Sequence, residues 1–109
     1  MRILFDHGTP KGIASALAGH TVLTAYAQGW ERLHNGALLD AAEATAVDVL
    51  LTTDQRIRSQ QNLAGRKMAL VVLTGTTKWA SVRLHLDRIV VAVHAATPGS
   101  YTEVAIPFR

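Results

Sequence analysis

The sequence contains no cysteine. A disulfide framework, a thiolate metal site and a thiol nucleophile are therefore excluded, and any metal ion must bind to oxygen or imidazole. Charged residues make up only 17% of the chain, against 49% hydrophobic residues, which is too little charge for a disordered tail and enough apolar surface for a core. At 109 residues a second core would be too small to stand alone, so we expect a single domain over residues 1–109.

Long apolar runs are also missing from the start of the chain. The first run, 3–5, ends at a carboxylate, Asp6. It is far too short for a signal-peptide core or a membrane span, and we expect a cytoplasmic protein with no membrane partner. Eleven Lys and Arg residues against eight Asp and Glu residues give a formal net charge of +3. This mild basic excess helps to attract a polyanion and does not by itself establish nucleic-acid binding.

What the sequence does contain is an alternation of short apolar runs with helical patterns. The runs predict strands, the last of them with the pattern of an edge strand, at 3–5, 21–24, 48–51, 68–73 and 101–106. Helices are predicted at 10–17, 36–46, 55–61 and 79–95. This order predicts a three-layer α/β fold, a mainly parallel central sheet with right-handed crossovers and helices on both faces.

Cap and turn residues mark the ends of several of these elements. Thr9 is predicted to cap the first helix, with Pro10 at its first position, and Gly19 to end it in a left-handed conformation. Asn35 is predicted to cap the second helix. Trp30, in the irregular connection before it, is predicted to pack on the sheet.

Two aspartates follow predicted strands within three residues of the last apolar position, Asp6 and Asp54. In open α/β sheets, ligands bind beyond the carboxyl ends of the strands, so we expect the two carboxylates at one edge. Carboxylates brought together repel, and a hard divalent cation relieves that repulsion, which predicts Mg²⁺ or Mn²⁺. A plainer role is open for each: Asp54 also suits a helix N-cap, and Asp6 a side-chain turn onto the backbone near Gly8.

Further candidate ligands come from the second helix and the first turn. Asp40 and Glu43 lie three residues apart on one helix face, where either could add a ligand or both could form an ordinary solvated pair. His7 is either a turn residue or an imidazole ligand that would favour Mn²⁺ or a softer metal. No Ser-His-Asp order, glycine-rich dinucleotide motif or phosphate-binding loop occurs, so triad and nucleotide-fold functions are excluded.

With these residues in place, the sequence resembles small bacterial PIN-like domain proteins, relatives of toxin nucleases. The first strand and the turn Asp6-His7-Gly8-Thr9-Pro10 look like the family's opening strand and its Asp-Glu-Asn-Leu-Pro turn. Asn35 stands where the family often begins a helix with an acid. The segment 49–54, Val-Leu-Leu-Thr-Thr-Asp, is similar to the family's strand that ends in Thr and Asp.

The sequence departs from the family pattern at three places. His7 replaces an acid, and Asn35 stands at a position that is often acidic. The segment 74–78 has no carboxylate where larger PIN nucleases place one. The acidic set is therefore smaller than the one that the resemblance leads us to expect.

The resemblance implies a PIN-like fold and metal-dependent cleavage of RNA, often as the toxin of a toxin-antitoxin pair. On this first hypothesis Asp6, Asp54 and Asp40 act in catalysis, and the Mg²⁺ or Mn²⁺ ligands come from Asp6, Asp54, Asp40 and Glu43. Basic residues would neutralise phosphates beside the site: Arg56, Arg58, Lys78 and Lys11.

A second hypothesis is a non-catalytic PIN-like module that binds RNA or a partner protein through an eroded metal site. The first hypothesis requires at least three carboxylates within reach of one ion, and the second does not. Two further partners are expected: a small antitoxin protein, and a second copy of the chain that pairs through the strand predicted at 101–106.

Overall fold

The structure, a computed structural model, describes residues 1–57 and 65–108, apart from the side chain of Asn35. Its strands are β1 (Arg2–Phe5), β2 (Thr21–Thr24), β3 (Val49–Thr52), β4 (Ala69–Gly75) and β5 (Tyr101–Ile106). Its helices are a 3-10 helix (Lys11–Leu17), α1 (Asn35–Ala44), α2 (Trp79–Val82) and α3 (Leu86–Ala95).

The strands form one five-stranded sheet in the order β2-β1-β3-β4-β5, and every pair is parallel. The prediction of a parallel sheet is confirmed, as is the place of Tyr101–Ile106 on an edge strand. Because all strands run the same way, their last residues share one side of the sheet, here called the carboxyl edge. The opposite side, where the strands begin, is the amino edge.

Helices cover both faces of the sheet, which confirms the predicted three-layer arrangement. On one face, Ile3 and Phe5 of β1 belong to a buried cluster with residues of the 3-10 helix, α2 and α3. On the other face, Leu4 belongs to a second cluster with residues of α1. Successive side chains of a strand point to opposite faces, so a strand covered on both sides must be apolar throughout. That is why β3 has no polar position before Thr52.

The predicted caps are wrong at the first two helices. The 10–17 segment is a 3-10 helix with Pro10 at its N-cap, and the Thr9 hydroxyl bonds elsewhere. α1 begins at Asn35 itself, with His34 in the N-cap position, and ends at Ala44 because the backbone turns to a positive φ of 62° at Ala46. Gly19 has the predicted left-handed conformation, with φ 94°.

The helix predicted at 79–95 is also wrong as a single element. It is divided into α2 and α3, since Leu84 and His85 donate backbone hydrogen bonds to residues three positions back and the helix then restarts with His85 at its N-cap. Val82 of α2 and Ile89 and Val93 of α3 all pack in the cluster on the sheet, so the periodicity of the sequence does not reveal the break. Most of the helix predicted at 55–61 lies outside the described residues.

Trp30 packs beside the second cluster, which confirms its predicted place on the sheet. Within the ranges that the structure describes, none of the helices is long and apolar enough to span a bilayer.

Candidate carboxylate site

Asp6 and Asp54 lie at the carboxyl edge beyond the neighbouring strands β1 and β3. The Asp6 N–H donates to the Leu51 carbonyl at 3.3 Å and so extends the pairing of the two strands by one residue. The turn that follows presses on the segment after β3, because a Cβ on Gly8 would overlap the Thr53 hydroxyl. Any larger residue at position 8 would require the Thr53 side chain to shift, so the two acidic turns are closely packed at this point.

Two threonine hydroxyls hold the Asp6 carboxylate. The Thr9 hydroxyl lies 2.9 Å from Asp6 Oδ1 and 2.9 Å from the Leu51 carbonyl oxygen, so it can donate to either. The Thr52 hydroxyl donates to Asp6 Oδ2 and accepts the Asp54 N–H at 3.1 Å. Thr52 is completely buried, so its side chain is held in place by packing while it links both acidic turns.

The electrostatic environment of Asp6 disfavours its charged form. Burial raises the pKa of the Asp6 carboxyl above its ordinary value, and the charge of Asp54 raises it further. Hydrogen bonds from Thr52, Thr9 and the Gly8 backbone act in the opposite direction without cancelling the effect of burial. Because the Asp54 charge acts on Asp6, the two carboxylates repel each other, and a cation bound beside them would relieve that repulsion.

Each carboxylate also has the plainer role that the sequence left open. Asp54 Oδ1 accepts the Arg56 N–H at 3.0 Å, a contact of the helix-cap type, and lies 3.4 Å from Arg56 Nε. Asp6 accepts from the backbone of Gly8. These contacts fix the two turns and orient both carboxylates at the carboxyl edge.

A small open cleft of about 180 Å³ lies beside Asp6. Its lining includes His7, Lys11 and Tyr26, and the Tyr26 side chain is 69% exposed. His7 Nε2 is hydrogen-bonded to the Glu31 carbonyl, so this ring anchors the connection before α1. The cleft therefore combines a half-buried carboxylate with an ammonium group and an exposed aromatic ring.

Asp40 and Glu43 are not brought to this cleft. Asp40 Oδ1 lies 2.9 Å from one nitrogen of Arg66, and Glu43 Oε1 lies 2.7 Å from another. Glu43 also accepts the backbone N–H of Lys67, two residues before β4 begins, which places the pair toward the amino edge. The reason is the direction of α1: it runs back from the carboxyl edge, so its second half approaches the opposite side of the sheet.

The basic residues predicted to contact phosphates are found mainly at the carboxyl edge. Arg56 lies beside Asp54, Lys11 lines the cleft, and Lys78 is exposed three residues beyond the end of β4. Arg58 lies outside the described residues.

Two carboxylates lie near each other at the carboxyl edge, Asp6 and Asp54, and of these two Asp6 lines the cleft while Asp54 does not. In the part of the chain covered by the structure, no group of three or more His, Cys, Asp or Glu side chains is placed to hold a metal ion. The predicted ligand set of Asp6, Asp54, Asp40 and Glu43 is therefore divided between two ends of the sheet.

Sequence reasoning missed the hydroxyl donors of this site. The sequence predicts a helix cap at Thr9 and places Thr52 directly after the strand 48–51, although a polar residue next to an apolar buried strand is a usable signal. The connection that carries Tyr26 has no periodic pattern, so nothing in the sequence singles this residue out.

Fold and site together define an α/β protein with an open parallel sheet and a carboxylate cleft at its carboxyl edge. No protein-family model, curated protein or solved structure matches this chain.

Proposed function

We propose that the carboxyl edge is the active site of a ribonuclease of PIN-like type that depends on Mg²⁺ or Mn²⁺. The observation that carries the proposal is the Asp6 carboxylate, half-buried, fixed by the hydroxyls of Thr9 and Thr52 and close enough to Asp54 for their charges to interact. A costly buried charge held in place by neutral donors is typical of a functional site.

The donor set suits a hard cation. Asp6 and Asp54 offer carboxylate oxygens, the chain contains no cysteine, and His7 is engaged with a backbone carbonyl. Mg²⁺ in phosphoryl-transfer sites is commonly held by one or two carboxylates, several waters and the phosphate of the substrate. Two carboxylates therefore suffice if the RNA completes the coordination, which relaxes the requirement for three.

Each residue at the carboxyl edge would have a separate role in the proposed reaction. Asp6 and Asp54 would hold the cation, and a cation bound there would supply an activated water and stabilise charge on the phosphodiester. Thr52 and Thr9 keep the Asp6 carboxylate oriented. Lys11 contributes positive charge inside the cleft, and the cations of Arg56 and Lys78 add to it at the rim of the carboxyl edge.

Cleavage of end-labelled RNA with Mn²⁺, and again with EDTA, tests this proposal. The wild type should cleave with Mn²⁺ and stop when EDTA is added. Asp6→Asn should abolish cleavage, while Asp40→Asn, the same substitution at the other end of the sheet, should leave it intact. Cleavage that persists in EDTA, or that Asp40→Asn removes as fully as Asp6→Asn, would refute the proposed mechanism.

A second candidate is the non-catalytic module that binds RNA or a partner protein. The observation that favours it is the convergence of two carboxylates rather than three among the described residues. It requires that the wild type retain labelled RNA in a gel-shift assay, with EDTA present, and release no shorter products with Mn²⁺.

The toxin role, an antitoxin partner and a homodimer rest on the resemblance and on the open edge of β5. Coexpression with a small protein encoded by an adjoining gene should suppress growth inhibition if the chain is a toxin.

Light scattering at several protein concentrations should show a dimer if β5 pairs with a second copy of the chain.

A further inference from the structure

Two histidines that lie 74 positions apart in the sequence meet on the surface of the fold. His20 lies in the turn between the 3-10 helix and β2, and His94 in the last turn of α3. Their Nε2 atoms are 3.0 Å apart, and the ring centroids are separated by 5.1 Å with the planes inclined at 57°.

The backbone beneath both rings is fixed by packing. The His20 N–H donates to the Leu17 carbonyl at 3.1 Å, and Leu17 is buried in the same cluster as Val93, the residue before His94. The two imidazoles are therefore carried by elements that the core already holds against each other. Little backbone conformational entropy therefore remains to be lost when a ligand binds both rings.

We propose that His20 and His94 form a two-imidazole site for a borderline transition-metal ion of the Cu²⁺, Ni²⁺ and Zn²⁺ class. Imidazole nitrogens lie about 2.1 Å from such ions, and two of them at a right angle around one ion are about 3.0 Å apart. The observed separation of 3.0 Å matches that arrangement, which is the one preferred in tetragonal Cu²⁺ and Ni²⁺ sites.

Binding requires a defined rearrangement of protons. In the metal-free protein the two Nε2 atoms share one hydrogen bond, so one ring carries its proton there. An ion needs both Nε2 lone pairs, and the donating ring must therefore carry its proton on Nδ1 instead. His20 Nδ1 lies 3.3 Å from the Met1 nitrogen, a long contact that gives way in this tautomer.

The site differs from the carboxylate cleft in the ions that it selects. Its donors are imidazoles, which suit borderline ions, whereas Mg²⁺ and Mn²⁺ prefer the oxygens of Asp6 and Asp54. Within the described residues no third His, Cys, Asp or Glu completes a metal-binding group with this pair, so water fills the other positions. His94 is exposed, which gives these waters room.

Calorimetric titration of CuCl₂ and NiCl₂ into the untagged chain tests the proposal. The wild type should bind one equivalent, and either His20→Gln or His94→Gln should weaken that binding at least tenfold. The double variant should be no weaker than either single one, because one imidazole alone gives no chelate. His85→Gln, a matched change at a histidine outside the pair, should bind like the wild type.

Cu²⁺ electron paramagnetic resonance adds a readout that does not depend on stability. The wild-type spectrum should show hyperfine coupling to two equatorial imidazole nitrogens, and the His94→Gln spectrum should not. Circular dichroism of the metal-free proteins checks that each variant is folded. If His20→Gln does not fold, His94→Gln, at an exposed position, tests the site alone.

Two results would overturn the proposal. Equal Cu²⁺ affinity in the wild type and the double variant would mean that the pair is a hydrogen-bonded contact only. Loss of Cu²⁺ binding in Asp6→Asn, with the histidine variants unaffected, would assign the ion to the carboxylate cleft. A chain that binds Cu²⁺ through the histidines and fails to cleave RNA would leave this site standing without the proposed function.

Discussion

The molecule has two acidic pairs, one at each end of its sheet, and they are stabilised in different ways. Asp40 and Glu43 share the guanidinium of Arg66, so this pair carries its own cation. Asp6 is held by neutral threonine hydroxyls beside Asp54, and burial raises its pKa. Arg66 neutralises the pair at the amino edge, while at the carboxyl edge Arg56, whose side chain is 79% exposed, contacts Asp54, and Asp6 is oriented by neutral hydroxyls and remains costly to ionise.

This difference separates a structural acid from a candidate functional one. The Asp40 side chain is 72% exposed, and Arg66 joins α1 to the segment before β4, which is an ordinary surface role. Burial raises the pKa of the Asp6 carboxyl, yet Asp6 lines an open cleft. A carboxylate held by neutral hydroxyl donors beside an open cleft is where an external cation gains most.

The largest expected effect comes from exchanging one acid in each pair. Asp6→Asn and Asp54→Asn should each lower Mn²⁺-dependent RNA cleavage by at least about a hundredfold, because each removes a ligand charge. Asp40→Asn and Glu43→Gln should change the rate less than about twofold, within the scatter expected of a site not in contact with the chemistry. Initial rates at saturating Mn²⁺ provide the comparison. Equal losses of cleavage rate at the two edges would show that the carboxyl-edge acids have no special role in catalysis.

Thr52→Val should affect both stability and cation affinity. The substitution keeps the shape of a completely buried side chain and removes the hydroxyl between Asp6 and Asp54, which should cost about 1–3 kcal/mol of unfolding free energy. Cation affinity should fall by roughly 10–100-fold because the Asp6 carboxylate loses its orientation.

Thr45→Val is the matched control for that change. Its hydroxyl donates to the Ala41 carbonyl at the end of α1, near the amino edge, so urea denaturation should show a smaller loss and Mn²⁺ affinity should be unchanged. A Thr52→Val protein that binds Mn²⁺ as tightly as the wild type would show that the hydroxyl network does not serve the site.

Arg66→Met should have a moderate effect confined to stability. It keeps much of the packing of a side chain that is only 18% exposed and leaves Asp40 and Glu43 without their shared cation, at a cost of about 1 kcal/mol. The loss should be larger at low ionic strength, since salt screens the remaining repulsion. Urea midpoints at two salt concentrations measure it. A change in Mn²⁺ affinity at the carboxyl edge would contradict the independence of the two pairs.

The smallest expected effect is on the pH dependence of stability. The Asp6 carboxyl contributes stability below its unfolded pKa of about 3.9, and that contribution is lost as pH rises through its raised folded pKa. Stability of the wild type should therefore fall with rising pH across this window, and Asp6→Asn should lack that component. Metal-free Asp6→Asn at pH 7 should be at least as stable as the wild type. Melting temperatures of both proteins, measured from pH 3 to 8 in EDTA, test this prediction. Identical pH profiles for the wild type and Asp6→Asn would contradict it.

Much of the fold follows from patterns within single segments. Apolar runs such as 3–5 and Val49–Thr52 require burial on both faces, and that alone predicts a parallel sheet under two layers of helices. The meeting of Asp6 and Asp54 follows as well, because parallel strands end at a common edge. What remained hidden depends on contacts between segments.

Three features show why contacts between segments could not be predicted from the sequence. The direction of α1 relative to the sheet sets the place of Asp40, and residue spacing along a helix carries no information about it. Thr52 contacts Asp6 across 46 positions in the sequence, and His20 contacts His94 across 74. No periodicity signals a pair of single residues brought together by the packing of other elements.

We propose that Asp6 and Asp54 share one divalent cation, and calorimetric titration of MnCl₂ at pH 7 measures whether such an ion binds. The wild type and Asp40→Asn should bind one Mn²⁺ with similar affinity, and Asp6→Asn and Asp54→Asn should bind it at least tenfold more weakly. If the wild type binds no divalent cation at millimolar concentration, or if Asp40→Asn weakens binding as much as Asp6→Asn does, the claim is contradicted.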